Sequence, residues 1–184
     1  MKINRILDIF DTLVIVGLAM MLLAAFSYQF TVHDLPCSLC VMLRTGLYAI
    51  GFGLIINLTK QRNQTNYFLV IVASILELVI SLEFIVRHIV PGSGVYGSSV
   101  LGLHMYTWSF ITTFLIILYA TIAGIFSSQP KQVQKIYPIV KLVIAVLIFT
   151  LLANIISTFI ECGPYSCQSD PNSYWLINLF TTSH

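Results

Sequence analysis

The stretch that decides the fold is Asp34–Gly51, "DLPCSLCVMLRTGLYAIG". Two cysteines stand three positions apart, an arginine follows one helical turn later, and the chain then turns apolar. From Val41 to Leu58 the only charged residue is Arg44. A helix needs about 20 apolar residues to cross the roughly 30 Å of hydrocarbon in a bilayer. This stretch therefore reads as the mouth of a transmembrane helix carrying a dithiol.

The rest of the chain repeats the pattern. Thr12–Phe30, Gly102–Phe126 and Leu142–Ile160 contain no Asp, Glu, Lys or Arg, and Tyr67–Val86 contains only Glu77 and Glu83. Of the 184 residues, 58% are hydrophobic and 9% charged, and the mean hydropathy is +0.91. A soluble domain carries about 25% charged residues. The composition excludes a water-covered globule, and a net charge of +2 gives no footing for nucleic acid. The expected fold is an all-α polytopic membrane bundle, since lipid offers no partner for a backbone outside a helix or a closed barrel. Five spans are expected, at roughly residues 10–30, 37–58, 67–87, 102–126 and 139–160, in a single membrane domain with a four-helix core. Residues 161–184 form a cysteine loop and a tail, whose "YWLINLF" suits the membrane interface.

Orientation follows from the basic residues. Lys2, Arg5, Lys60, Arg62, Lys131, Lys135 and Lys141 all fall at alternate ends of the spans. Those ends are expected to be cytoplasmic. The N-terminus is then inside and the C-terminus outside. The first apolar run is long for a signal peptide and lacks a clean cleavage site, so it reads as an uncleaved span.

All four cysteines then lie on the outer side, where disulfides persist. Cys37 and Cys40 open span 2, and Cys162 and Cys167 follow span 5. Pro36 suits the first residue of a helix, which places Cys37 in the first turn beside unpaired N–H groups that favour a thiolate. Arg44 lies one turn beyond Cys40 on the same face. It is placed to stabilise a thiolate or to bind an oxygen of a docked ligand, or else it snorkels to the headgroups. Gly46, Ala49 and Gly53 form a small-residue stripe for close helix contact. In "ECGPYSC", Gly163 and Pro164 favour a turn that brings Cys162 and Cys167 together. A zinc site with four cysteine ligands and a purely structural pair of staples are the other readings, and no metal is expected. Glu83 and Arg87, four apart, read as a self-satisfied pair. His104, in "GLHMYTW", is an interface residue or a ligand donor. Glu77 sits about halfway through span 3, and no role is assigned to it.

The stretch "PCSLCVMLR" resembles the DsbB family of bacterial membrane thiol oxidases, which carries a proline, a C-x-x-C and an arginine four residues on at the outer end of its second span. "LGLHMYTWSF" and "ECGPYSC" resemble DsbB relatives with an extra span. The resemblance implies a protein-dithiol:quinone oxidoreductase of the bacterial inner membrane. Such a protein reoxidises a soluble periplasmic DsbA-like thioredoxin-fold partner and passes the electrons to a membrane quinone, ubiquinone or menaquinone. Cys37 and Cys40 are then the quinone-coupled pair, Cys162 and Cys167 the shuttle pair, and Arg44 and His104 the quinone-binding residues. The partner is expected to attack Cys167, and the released Cys162 to attack Cys37. The chain departs from the four-span members in two ways. The link between spans 3 and 4 has no cysteine, and Leu43 stands where the family has an acidic residue. Two other functions fit the same residues: a quinol-driven reductase of outer disulfides, and a non-enzymatic scaffold stapled by its disulfides.

Overall fold

The computed structural model describes residues 2–31, 37–89, 99–127, 131–132, 137–163 and 175. Five helices carry the chain: α1 Lys2–Thr31, α2 Ser38–Thr59, α3 Gln64–Ile89, α4 Met105–Phe126 and α5 Pro138–Cys162. Each is long and apolar enough to cross a membrane. The fold is an all-α polytopic bundle. Its exterior is lined with Leu, Ile, Val and Phe, as a lipid-facing surface requires.

Two short antiparallel pairs tie the connectors. At one end β1, Gln61–Arg62, pairs with β4, Lys131–Gln132. At the other, β2, Ser99–Val100, pairs with β3, Leu103–His104. The tip of the second hairpin is Leu101 and Gly102, with φ of 53° and 81°. Both values are positive, as the two-residue turn that matches strand twist demands. The hairpin fixes His104 immediately before α4.

One buried apolar cluster draws on every helix. It takes Ile15, Leu18 and Leu22 from α1, Leu47, Ile50 and Leu54 from α2, and Tyr67 and Val70 from α3. Ile116 and Ala120 come from α4, and Val143 and Leu147 from α5. Helix α2 packs against α1, α3 and α5. Its small residues explain how. A Cβ on Gly46 would overlap the Glu77 carboxyl of α3, and one on Gly53 would lie 2.6 Å from Val70 Cγ2. Ala49, expected on the same stripe, is exposed instead, because Gly46, Ile50 and Gly53 carry the contact face. Gly53→Ala is expected to push α3 off α2. Overpacking of this kind costs about 1–3 kcal/mol, read as a lower unfolding temperature in detergent.

The end without cysteines is closed by an ion network. The Arg62 guanidinium bonds the Asp8 carboxylate, Asp11 Oδ2 at 3.1 Å and the Asn4 carbonyl at 2.9 Å. Tyr67 and Tyr119 donate to Asp11 at 2.8 and 2.6 Å. Asp11 is fully buried and Arg62 nearly so. Arg62, expected to mark an inner connector, thus also ties β1 to α1, and Asp11 links α1 to α3 and α4. A buried charge persists only when paired and hydrogen-bonded in this way.

Candidate functional site

The dithiol sits at the start of α2. Cys37 is the N-cap, extended at φ −71° and ψ 168°, and its sulfur accepts the backbone N–H of Cys40 at 3.3 Å. The sequence placed Cys37 inside the first turn. The helix begins one residue later because the Cys37 sulfur itself satisfies an otherwise orphaned N–H. Pro36, expected at the helix start, lies outside the described residues. Cys37 and Cys40 are both free thiols, and their sulfurs are 2.8 Å apart in a hydrogen bond. That bond from Cys40, outweighing burial, lowers the Cys37 thiol below its ordinary value, with help from the backbone N–H of Cys40. The nucleophilic form of a cysteine is the thiolate, and of the two sulfurs Cys37 is the one shifted toward it.

One wall of the dithiol is aromatic. Cys37 packs with Leu43 and Phe84. Phe84 stacks on Tyr106 with centroids 4.5 Å apart and on His88 at 4.7 Å. His104 meets Tyr106 edge-on at 5.3 Å. Trp108 Nε1 donates to the Val100 carbonyl at 2.9 Å, holding the hairpin against α4. His104 therefore lies on the α3–α4 side of the dithiol, against Tyr106, which stacks on the Phe84 that packs with Cys37.

The other wall is polar and belongs to α1 and α5. Arg44 is 7% exposed. It does not snorkel. Its guanidinium donates to Gln29 Oε1 at 2.8 Å, to Asn154 Oδ1 at 3.4 Å and to the Ala25 carbonyl at 3.4 Å, and its Cζ lies 4.7 Å from the Phe26 ring centroid. Gln29 in turn donates to Ser157 Oγ at 2.5 Å. Arg44 interacts electrostatically with Cys40, Tyr48, Glu161 and Cys37. A fixed cation thus stands beneath the dithiol in a bundle interior, where low dielectric strengthens its field.

Three further helpers were missed from sequence: Gln29, Asn154 and Glu161. The signal was there. Thr150, Asn154, Ser157 and Glu161 recur at spacings of four, three and four, one face of an otherwise apolar helix. Counting only formal charges, and ending span 5 at Ile160, hid that face. Glu161 is 4% exposed, and neither of its carboxyl oxygens has a hydrogen-bond partner.

Cys162 ends α5 at the same end of the bundle as the dithiol and is disulfide-bonded. Cys167 lies outside the described residues, as do His33, most of the link between α3 and α4, and all of the tail but Trp175. The α5 C-cap, Gly163, has φ 65°, and a Cβ there would lie 2.6 Å from the Trp175 ring. Trp175 also meets Phe159 edge-on, so this part of the tail folds back on α5. The Glu83–Arg87 pair forms on the exposed face of α3, at 3.1 Å from Nε. Glu77 is fully buried. It accepts from Ser109 Oγ at 2.6 Å and lies against Gly46, which joins α2, α3 and α4. Among the described residues no His, Cys, Asp or Glu cluster fits a metal ion.

Residues 9–92 match the family model described as "Disulfide bond formation protein DsbB". The match begins within α1, takes in α2, α3, the dithiol and Arg44, and ends before α4. No curated protein and no solved structure matches the chain.

Proposed function

We propose, from the match of residues 9–92 to the DsbB family model, that the chain is a protein-dithiol:quinone oxidoreductase. It takes electrons from a soluble periplasmic DsbA-like thioredoxin-fold protein and delivers them to ubiquinone or menaquinone. The family match supports a part in the machinery of disulfide bond formation; the finer assignment rests on the site. The observation that carries it is a hydrogen-bonded free dithiol capping a membrane helix, with a buried arginine one turn beneath.

The residues suit a quinone. Arg44 offers a planar, permanently charged donor. The Glu161 carboxyl is buried without a partner. Phe26 and the lipid-facing surface supply apolar contact. When bound, a quinone would supply a sink for two electrons and two protons. Arg44 would hold its oxygen, and Gln29 and Asn154 hold Arg44. His104, from the aromatic wall, would close the opposite side of the dithiol. Cys37, as the thiolate, and Cys40 are the reducing pair.

Cys162 and Cys167 form the shuttle pair in this account, with the partner attacking Cys167 and the released Cys162 passing electrons to the Cys37–Cys40 disulfide. The dithiol end would face the periplasm, and the N-terminus the cytoplasm.

Thiol trapping in cells tests the reading. Quinone depletion is expected to accumulate free thiols on the chain. A scaffold with structural disulfides would stay oxidised under the same treatment.

A further inference from the structure

Glu161 is a buried carboxyl that nothing in the relay yet uses. It is 4% exposed, and both oxygens lack hydrogen-bond partners. Its electrostatic neighbour is Arg44, whose hydrogen bonds all go elsewhere, to Gln29, Asn154 and the Ala25 carbonyl. The titratable and charged groups that act on Arg44 are Cys37, Cys40 and Tyr48 from α2 and Glu161 from α5. Helix α1 contributes only the neutral Gln29, the Ala25 carbonyl and the Phe26 ring.

This pocket holds one permanent positive charge. The negative charge that balances it changes with redox state. With the dithiol reduced and Cys37 ionised, sulfur balances Arg44. Once Cys37 and Cys40 join in a disulfide, sulfur carries no charge, and Arg44 is left buried beside a carboxyl. An unbalanced buried charge is costly in either state.

We propose that Glu161 is the proton-handling residue of the dithiol site, protonated when Cys37 is a thiolate and ionised when Cys37 and Cys40 are bonded. This inference rests on the oxidoreductase reading above. The step balances. A Cys37 thiolate, a Cys40 thiol and a Glu161 carboxylic acid become one disulfide and one Glu161 carboxylate. The sulfur–sulfur bond forms, the S–H bond of Cys40 and the O–H bond of Glu161 break, and two electrons and two protons leave. Net charge around Arg44 is zero before and after. The released electrons and protons are those that convert a quinone to its quinol, so the carboxyl supplies the proton that the thiolate lacks.

Glu161 acts through Arg44 and the sulfurs, so the test counts protons rather than turnover. The full chain with Cys162→Ser and Cys167→Ser leaves a single redox couple. It is poised in a glutathione redox buffer without quinone, at a pH where Cys37 is ionised. The pH dependence of the midpoint potential gives protons per electron pair. Infrared difference spectra between the two states report the carboxyl. The expected result is two protons per pair and a carboxylic acid band lost on oxidation. Glu161→Gln, of nearly the same shape, is expected to give one proton and no such band, and Glu161→Asp to restore both. An unchanged proton count in Glu161→Gln, or a carboxyl band indifferent to oxidation, overturns the proposal. Because no quinone is present, either outcome leaves the oxidoreductase reading to its own test.

Discussion

Cys40→Ser reduces dithiol-dependent quinone reduction to the rate seen without protein, while the bundle stays folded. The two sulfurs are 2.8 Å apart, and a serine hydroxyl still donates to Cys37. What it cannot do is form a disulfide, so two-electron oxidation of the pair has no product. Cys40 lies in the small cluster of Cys37, Leu43 and Phe84, whose packing a near-isosteric change leaves intact. The unfolding temperature in detergent is expected to stay close to the parent's. Cys37→Ser gives the same loss of turnover. Its hydroxyl is a favoured N-cap acceptor and keeps the α2 cap, so this variant too is expected to unfold close to the parent's temperature. Normal turnover by Cys40→Ser would contradict the relay.

Arg44→Ala is expected to lower kcat/KM for quinone by roughly 10- to 100-fold, the effect of losing a hydrogen bond from a charged donor to the bound ligand. Most of the loss is expected in KM. The arginine is held on both sides, by Gln29 and Ala25 of α1 and by Asn154 of α5, so its position is fixed before any ligand arrives. Arg44→Lys keeps the charge and loses the planar fork that makes several directed bonds at once. It should fall between the parent and Arg44→Ala. Thiol exchange between the chain and a reduced thioredoxin-fold protein is expected to survive both changes. If Arg44→Ala leaves KM and kcat unchanged, the arginine only holds α1, α2 and α5 together.

The fold class was plain in the sequence because membrane spans announce themselves through long uncharged runs. The same simplicity hid the site. Gln29, Asn154 and Ser157 carry no charge and so vanished into "apolar" spans, although a buried amide or hydroxyl in lipid must find a partner as surely as a charge does. The α1–α5 side of Arg44 depends on which helices meet, which periodicity alone does not give. Arg62 carries more than a topology mark. It is 3% exposed, because Asp8 and Asp11, a helical turn apart on α1, converge on it. Cys37 differed by one position, because a sulfur acting as a cap is not among the usual N-cap signals. Glu77 could be placed in depth but not in partner until the α3–α4 register set Ser109 opposite it.

The most direct test of the central claim uses the purified full chain in a bilayer mimic, a quinone and a reduced DsbA-like protein, with quinone absorbance followed over time. The account predicts one quinone reduced for each partner dithiol oxidised, and no reduction when the partner is supplied already oxidised. Oxidation of the partner with no change in the quinone, or no reaction at all with either ubiquinone or menaquinone, would contradict it.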